Sequence, residues 1–185
     1  MRRSLYLFTL LLFGGSLFAQ APADAPLRPA ELVQYYKNQG QQFTPVDGLV
    51  QEKAASLRSY PAISAEVSDG LLLDFDQQFA QRMGEEAPDF MTLHLPFKQG
   101  VEVDVELVKV NLFTPDFAIT TSSPVEVQWE LGTYYRGTIK GMPGSVAAVS
   151  IFGDEVRGMF TGPRIGNYVL GALKNNNADR THIIY

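Results

Sequence analysis

Cysteine is absent from all 185 residues, which excludes a disulfide framework, a thiolate zinc site and a cysteine nucleophile together. Histidine occurs twice, at His94 and His182, and leaves little for metal ligation or acid–base chemistry. Basic residues are outnumbered, fifteen against twenty acidic ones. A phosphate backbone needs a basic surface, so nucleic acid is not an expected partner. There is no HExxH segment and no Asn-x-Ser/Thr acceptor, which removes that type of zinc-protease centre from this chain. What is present is a folding composition, with 45% hydrophobic, 11% aromatic and 19% charged residues, at a length that suits one domain.

The first nineteen residues stand apart. Met1-Arg2-Arg3 is a short basic start, Leu5 to Phe13 is apolar except for Thr9, and Ala19 offers a small residue before Gln20. This is the layout of a secretory signal peptide cleaved between Ala19 and Gln20. The apolar run is shorter than the roughly 20 residues that span a bilayer. The expectation is an exported chain, periplasmic, cell-surface or extracellular, with no membrane partner once the signal is removed. Loss of Arg2 and Arg3 then moves the net charge from −5 to −7. Export without cysteine fits a bacterium better than a eukaryotic secretory route.

Residues 20–29 (QAPADAPLRP) read as an extended Pro/Ala linker. Residues 30–61 read as a mostly helical lead-in, with Leu32, Val33 and Tyr36 on one side of a first helix stopped by Gly40. Val50, Ala54 and Leu57 sit at helical spacing in a second. From residue 62 the period becomes two. Ile63, Ala65 and Val67 alternate, Ser68-Asp69-Gly70 turns the chain, and Leu71, Leu73 and Phe75 alternate again. One short helix is predicted near 74–83, capped by Asp74 with Gln77 and carrying Phe79 and Met83. Met91 to Phe97 and Val101 to Leu107 form a hairpin around Lys98-Gln99-Gly100. The apolar parity flips after Leu107, which predicts a β-bulge near Leu107-Val108. Pro96 places its strand at an edge or at its own end. Short strands follow at 125–131, 135–140, 146–152, 156–160 and 168–173. Residues 62–185 therefore read as a mainly β domain, an antiparallel sandwich or open barrel.

Active-site templates fail in turn. Gly137 to Ser145 is glycine-rich, but Gly144 rather than lysine precedes Ser145, and the run joins two strands instead of opening a helix. Ser145 lacks the flanking glycines of a nucleophile elbow. His94 and His182 both fall in strand-like runs, where packing or surface roles prevail. Glu102, Asp104 and Glu106 share one strand face at about 6–7 Å intervals. They suit either a calcium site or, the favoured reading, a solvated face that discourages edge pairing. No catalytic residue, metal ligand or cofactor site is expected in this chain, and it is not expected to be an enzyme by itself.

Residues 134–171 read YYRGTIKGMPGSVAAVSIFGDEVRGMFTGPRIGNYVLG. This segment resembles the propeptide of secreted reprolysin/adamalysin-type zinc metalloproteases of the bacterial type. In that family a Tyr-Tyr-x-Gly strand leads into a Gly-x-Pro-x-Ser turn, an Ala/Val-rich strand and a hairpin ending in glycine. The matching positions are Tyr134, Tyr135, Gly137, Gly141, Pro143, Ser145, Val146, Ala147, Ser150 and Gly158. The residues at 92–97 and 101–117 are similar to the hairpin that opens such propeptides. Animal members carry a cysteine that caps the catalytic zinc; this chain has none, so that inhibitory device does not transfer.

The resemblance implies a non-catalytic pro-domain that assists folding of a protease and keeps it latent. Its partner is a metalloprotease domain of the same polypeptide, where any zinc resides. The apolar strand at Thr181–Tyr185 reads as a truncated end, after which that domain would follow. The solvent side of Trp129 to Tyr135 is a candidate contact surface. The alternative is a stand-alone exported β-sandwich that binds a glycan, a peptide or an envelope partner through Trp129 and the tyrosines. A hydrolase using Glu102, Asp104 or Glu106 ranks last.

Overall fold

In the computed structural model, which describes residues 26–118, 131–174 and 180–185, one ten-stranded sheet organises the chain. Its elements in chain order are α1 (Pro29–Asn38), β1 (Thr44–Val46), β2 (Val50–Glu52), α2 (Pro61–Ser64), β3 (Leu71–Phe75), α3 (Gln77–Glu85), β4 (Phe90–Lys98), β5 (Val101–Lys109), β6 (Thr133–Ile139), β7 (Val146–Ile151), β8 (Val156–Gly162), β9 (Gly166–Ala172) and β10 (His182–Ile184). The strand order is β1-β4-β5-β6-β7-β8-β9-β10-β3-β2. The sheet curls strongly into an open half-barrel, so of the two expected architectures the open barrel is the one observed. The expected signal cleavage at Ala19 and Gln20, the linker before residue 26, and Trp129 lie outside the described residues.

Curling follows from two features of the sequence. The edge strands β1 and β2 are consecutive, joined by Asp47-Gly48-Leu49, with Gly48 at φ +88 and Leu49 fully buried. This short link ties one edge of the sheet to the other. Inward residues then close on one another. Met91, Leu107, Gly137, Ala147, Phe160 and Tyr168 form one continuous inner row across six strands. Leu73, Leu93, Leu95, Val105, Val149 and Leu170 fill the interior with them. Ala80 and Met83 of α3 join the same core, so α3 plugs the end where β3 stops and β4 begins.

Helices also cover parts of the outer face. α1 begins with Pro29 at its first turn and ends at Gly40, whose φ of +80 only glycine adopts freely. It lies across β5, β6 and β7, buries Val33 and Val108, and sets Tyr36 against Phe90 with ring centroids 4.7 Å apart. At the other side of the sheet, Leu72 of β3 and Ile183 of β10 are buried, and Tyr60, just before α2, bonds the Thr181 hydroxyl at 3.3 Å. Among the described residues no helix is long and apolar enough to cross a membrane.

Four expectations are corrected. Residues 47–60 do not form a helix; they hold β2 and a single 3₁₀ turn at Leu57–Ser59, because Val50 is drawn into the core beside Phe75. Ile63 does not belong to a strand, since Pro61 opens the short helix α2 instead. The helix-capping side chain is Asp76, which accepts from Phe79 N–H at 2.8 Å, whereas Asp74 lies in β3 and pairs with Lys53. No bulge interrupts Leu107-Val108, where pairing is continuous with both β4 and β6. Residues 105–108 are buried on both faces because α1 shields the outer one, and that produces the parity flip. The register shift lies instead between Pro96 and Lys98. β1 reaches only Met91–Leu93, so Pro96 stands beyond any neighbour on that side. β1 also runs parallel to β4, which makes the sheet mixed.

Candidate functional site

The glycine-rich connection between β6 and β7 is organised by Ser145. Its Oγ accepts from the Ile139 N–H at 2.9 Å, bonds Thr138 Oγ1 at 2.7 Å and donates to the Met142 carbonyl at 2.8 Å. Gly141 and Gly144 take φ of +73 and +82 on either side of the exposed Pro143. A hydroxyl committed to three turn partners holds a corner together; neither histidine touches it.

The other residues of the 134–171 segment also build the sheet. A Cβ on Gly137 would stand 1.8 Å from the Glu106 carbonyl oxygen, so β6 presses onto β5 at a distance only glycine permits. Gly158 lies under the Phe160 ring, which a Cβ would meet at 2.8 Å. Ala147 is fully buried beside them. Tyr135 is buried and donates to the Pro88 carbonyl at 3.1 Å; burial pushes its phenol pKa up. Tyr134 faces outward and packs edge-on against Phe113 and Phe152. Ser150 pairs with Tyr134 on one side and Arg157 on the other.

The three acids of β5 separate into two settings. His94 of β4 lies between Asp104, whose Oδ1 is 3.1 Å from Nδ1, and Glu102, whose Oε2 is 2.9 Å from Nε2. Asp104 also accepts from Lys140 at 3.0 Å. The Asp104 carboxylate, then Glu102, raises the His94 pKa above its ordinary 6.5. In return His94, then Lys140, lowers that of Asp104. Both imidazole nitrogens face carboxylates, which favours a charged bridge over a base poised at a nucleophile. Glu106 belongs elsewhere. It is buried, and both its oxygens accept from Lys37 of α1 at 2.6 Å. Cations thus occupy the faces that a calcium ion would need, and among the described residues no group of three His, Asp or Glu is placed to hold a metal.

His182 is buried. Its Nε2 accepts from the Val156 N–H at 3.1 Å, its Nδ1 donates to the Arg180 carbonyl at 3.0 Å, and the ring lies on Phe75 at 4.6 Å. One acceptor and one donor nitrogen define a neutral tautomer, and burial lowers its pKa.

Sequence reasoning missed two surface features. One is a cavity of about 500 Å³ in the open seam above β1, between the end of β2 and the end of β4. Phe97 and Tyr168, 4.4 Å apart, form its aromatic wall, and Lys98 sits 5.2 Å over the Tyr168 ring. The aromatics were visible in the sequence, but the seam arises only from sheet closure. The other is an outer row on β8 and β9, Met159 beside Val169, with Tyr185 bonded to Val169 through both backbone groups. Its signal was a hydrophobic residue out of phase with each strand's buried set. Of the expected contact surface, only Leu131 to Tyr135 is described; Leu131 is exposed and Tyr135 is core. No protein-family model matches this sequence, and no curated protein or solved structure is significantly similar to it.

Proposed function

We propose that this chain is the non-catalytic pro-domain of an exported zinc metalloprotease. It would template folding of a protease domain on the same polypeptide and hold it latent outside the cytoplasm. The observation that carries the reading is the role of the residues that resemble such propeptides. Gly137, Gly141, Ser145, Ala147 and Gly158 are positions on which this sheet depends for strand contact and turn geometry. They specify a scaffold, and scaffold residues are what a resemblance between non-catalytic domains rests on. The side chains that could carry chemistry, His94, His182 and Ser145, are each engaged in holding strands or turns together. A pro-domain acts by binding the folded protease or its folding transition state better than the unfolded chain. The test is titration of purified residues 20–185 against the separately purified protease domain proposed for the same polypeptide. Saturable inhibition of peptide hydrolysis is expected; unchanged activity at high excess contradicts the proposal.

The seam cavity favours a second reading, a binding module for a glycan or peptide. Tyr168 is the partly exposed ring of the cavity wall, backed by the buried Phe97, and Lys98, Gln99 and Asp69 offer polar groups at the rim. A glycan and peptide array would show binding lost in Tyr168→Ala; an array without binding removes it.

A further inference from the structure

The two ends of the half-barrel are finished differently. At one end Ala80 and Met83 of α3 complete the core. At the other, where β3 begins and β4 ends, Leu71 and its cross-strand partner Ile184 line the seam cavity of about 500 Å³ together with Phe97 and Tyr168. Residues 53–57 form a further wall, tied to β3 where the Lys53 N–H donates to the Leu72 carbonyl at 2.9 Å. Barrel mouths are a preferred place for small-molecule sites, and this volume falls within their range of roughly 300–1,000 Å³. Pro26, Ala118, Leu131, Lys174 and Arg180, the described residues that border the rest of the chain, do not line it.

We infer that this mouth binds a short neutral saccharide. The inference rests on the binding-module reading of the cavity and names its ligand. Glu52 and Asp69 bring carboxylates and Lys53 and Lys98 bring ammonium groups, so the charges of the lining balance. An ionic ligand of either sign therefore meets repulsion as well as attraction. Ser56, Ser68 and Gln99 add groups that both donate and accept. Sugar hydroxyls also donate and accept, and a lining of this mixture offers partners for both. Tyr168 supplies the apolar element, a partly exposed ring backed by the buried Phe97 at 4.4 Å, against which the C–H face of a sugar packs. Lys98 stands 5.2 Å over that ring from an exposed position, so an incoming sugar displaces a solvated side chain and leaves the core closed. An extended peptide fits less well. It would add to a strand edge, but Pro96 of β4 has no N–H, and the Lys53 N–H is already given to Leu72.

The experiment presents the chain from Gln20 onward to an array carrying neutral glycans, anionic glycans and peptides as separate classes. The strongest neutral glycan is then titrated in solution. Binding to neutral glycans is expected, weakened about tenfold or more by Tyr168→Ala. Tyr168→Phe keeps the ring and its packing and should stay within about threefold of the natural sequence. Thermal unfolding verifies that both variants hold the fold. Amide shift changes at Asp69, Lys98 and Gln99 when the glycan is added to the natural sequence locate the site without any variant; shifts confined to other residues overturn the assignment. If peptides or anionic glycans bind through Tyr168 and neutral glycans do not, the saccharide assignment is wrong while the binding-module reading stands. If no class binds, both fall.

Discussion

Lys37 of α1 holds both carboxylate oxygens of Glu106 at 2.6 Å, across 69 residues of sequence. Glu106 is buried while Lys37 keeps partial contact with water. Truncating the lysine therefore leaves a carboxylate without its cation in a poorly solvated place. Lys37→Met is expected to cost about 1–3 kcal/mol, less than a fully buried pair because the ammonium is partly solvated. Adding Glu106→Gln should restore part of that loss. Urea denaturation of the two single variants and the double variant measures the coupling. Strictly additive losses would contradict the assignment.

Gly137 and Gly171 both lie in strands, yet they should respond oppositely to a methyl group. Gly137→Ala drives a Cβ into the Glu106 carbonyl and is expected to cost about 3 kcal/mol or more, or to prevent soluble expression. Nothing stands within 4 Å of a Cβ at Gly171, so Gly171→Ala should stay within about 0.5 kcal/mol of the natural chain. Melting temperatures of the pair decide it, and equal effects would contradict the pinch between β5 and β6.

Ser145→Ala removes the acceptor for the buried Ile139 N–H and the donor to Met142. A loss of about 1–3 kcal/mol is expected, together with faster amide exchange at Ile139. Unchanged exchange there would show that the turn does not depend on the hydroxyl.

The two histidines should contribute to stability with opposite dependence on pH. For His182 the folded pKa is lowered by burial from 6.5. The unfolded chain therefore takes up its proton first, and stabilisation complete above pH 6.5 is lost as pH falls through the folded value. For His94 the Asp104 and Glu102 carboxylates raise the folded pKa from 6.5. Its contribution is complete below pH 6.5 and lost as pH rises through the folded value, and solvent exposure keeps it small. With only two histidines in the chain, His→Gln variants assign both imidazole NMR signals. His94 should titrate above 6.5 and His182 below; the reverse order would contradict the two geometries.

The sequence made legible those elements whose burial alternates on one face. Leu71 to Phe75, Met91 to Phe97 and Val146 to Ile151 are strands, and Leu32, Val33 and Tyr36 lie on a helix, because a single core dictates their period. It misled where a second surface intervened. Val108 is apolar where α1 lies across β5, and Ile63 belongs to the short helix that Pro61 opens rather than to a strand. Long-range pairing was also invisible. Nothing local predicts that β10 inserts between β9 and β3, or that β1 and β2 form opposite edges of one sheet. The charges of β5 show the same limit. Glu102, Asp104 and Glu106 read as one acidic face, but their partners His94, Lys140 and Lys37 come from three other parts of the chain.

We propose that this half-barrel serves a protease rather than acting on a substrate. The most direct measurement is the yield of folded, activatable peptidase from the full reading frame, with and without residues 20–185, in the same export host. The account predicts that deletion sharply reduces the yield and that supplying the chain as a separate polypeptide restores it. Equal yields, with equal peptidase activity before any activating cleavage, would contradict it.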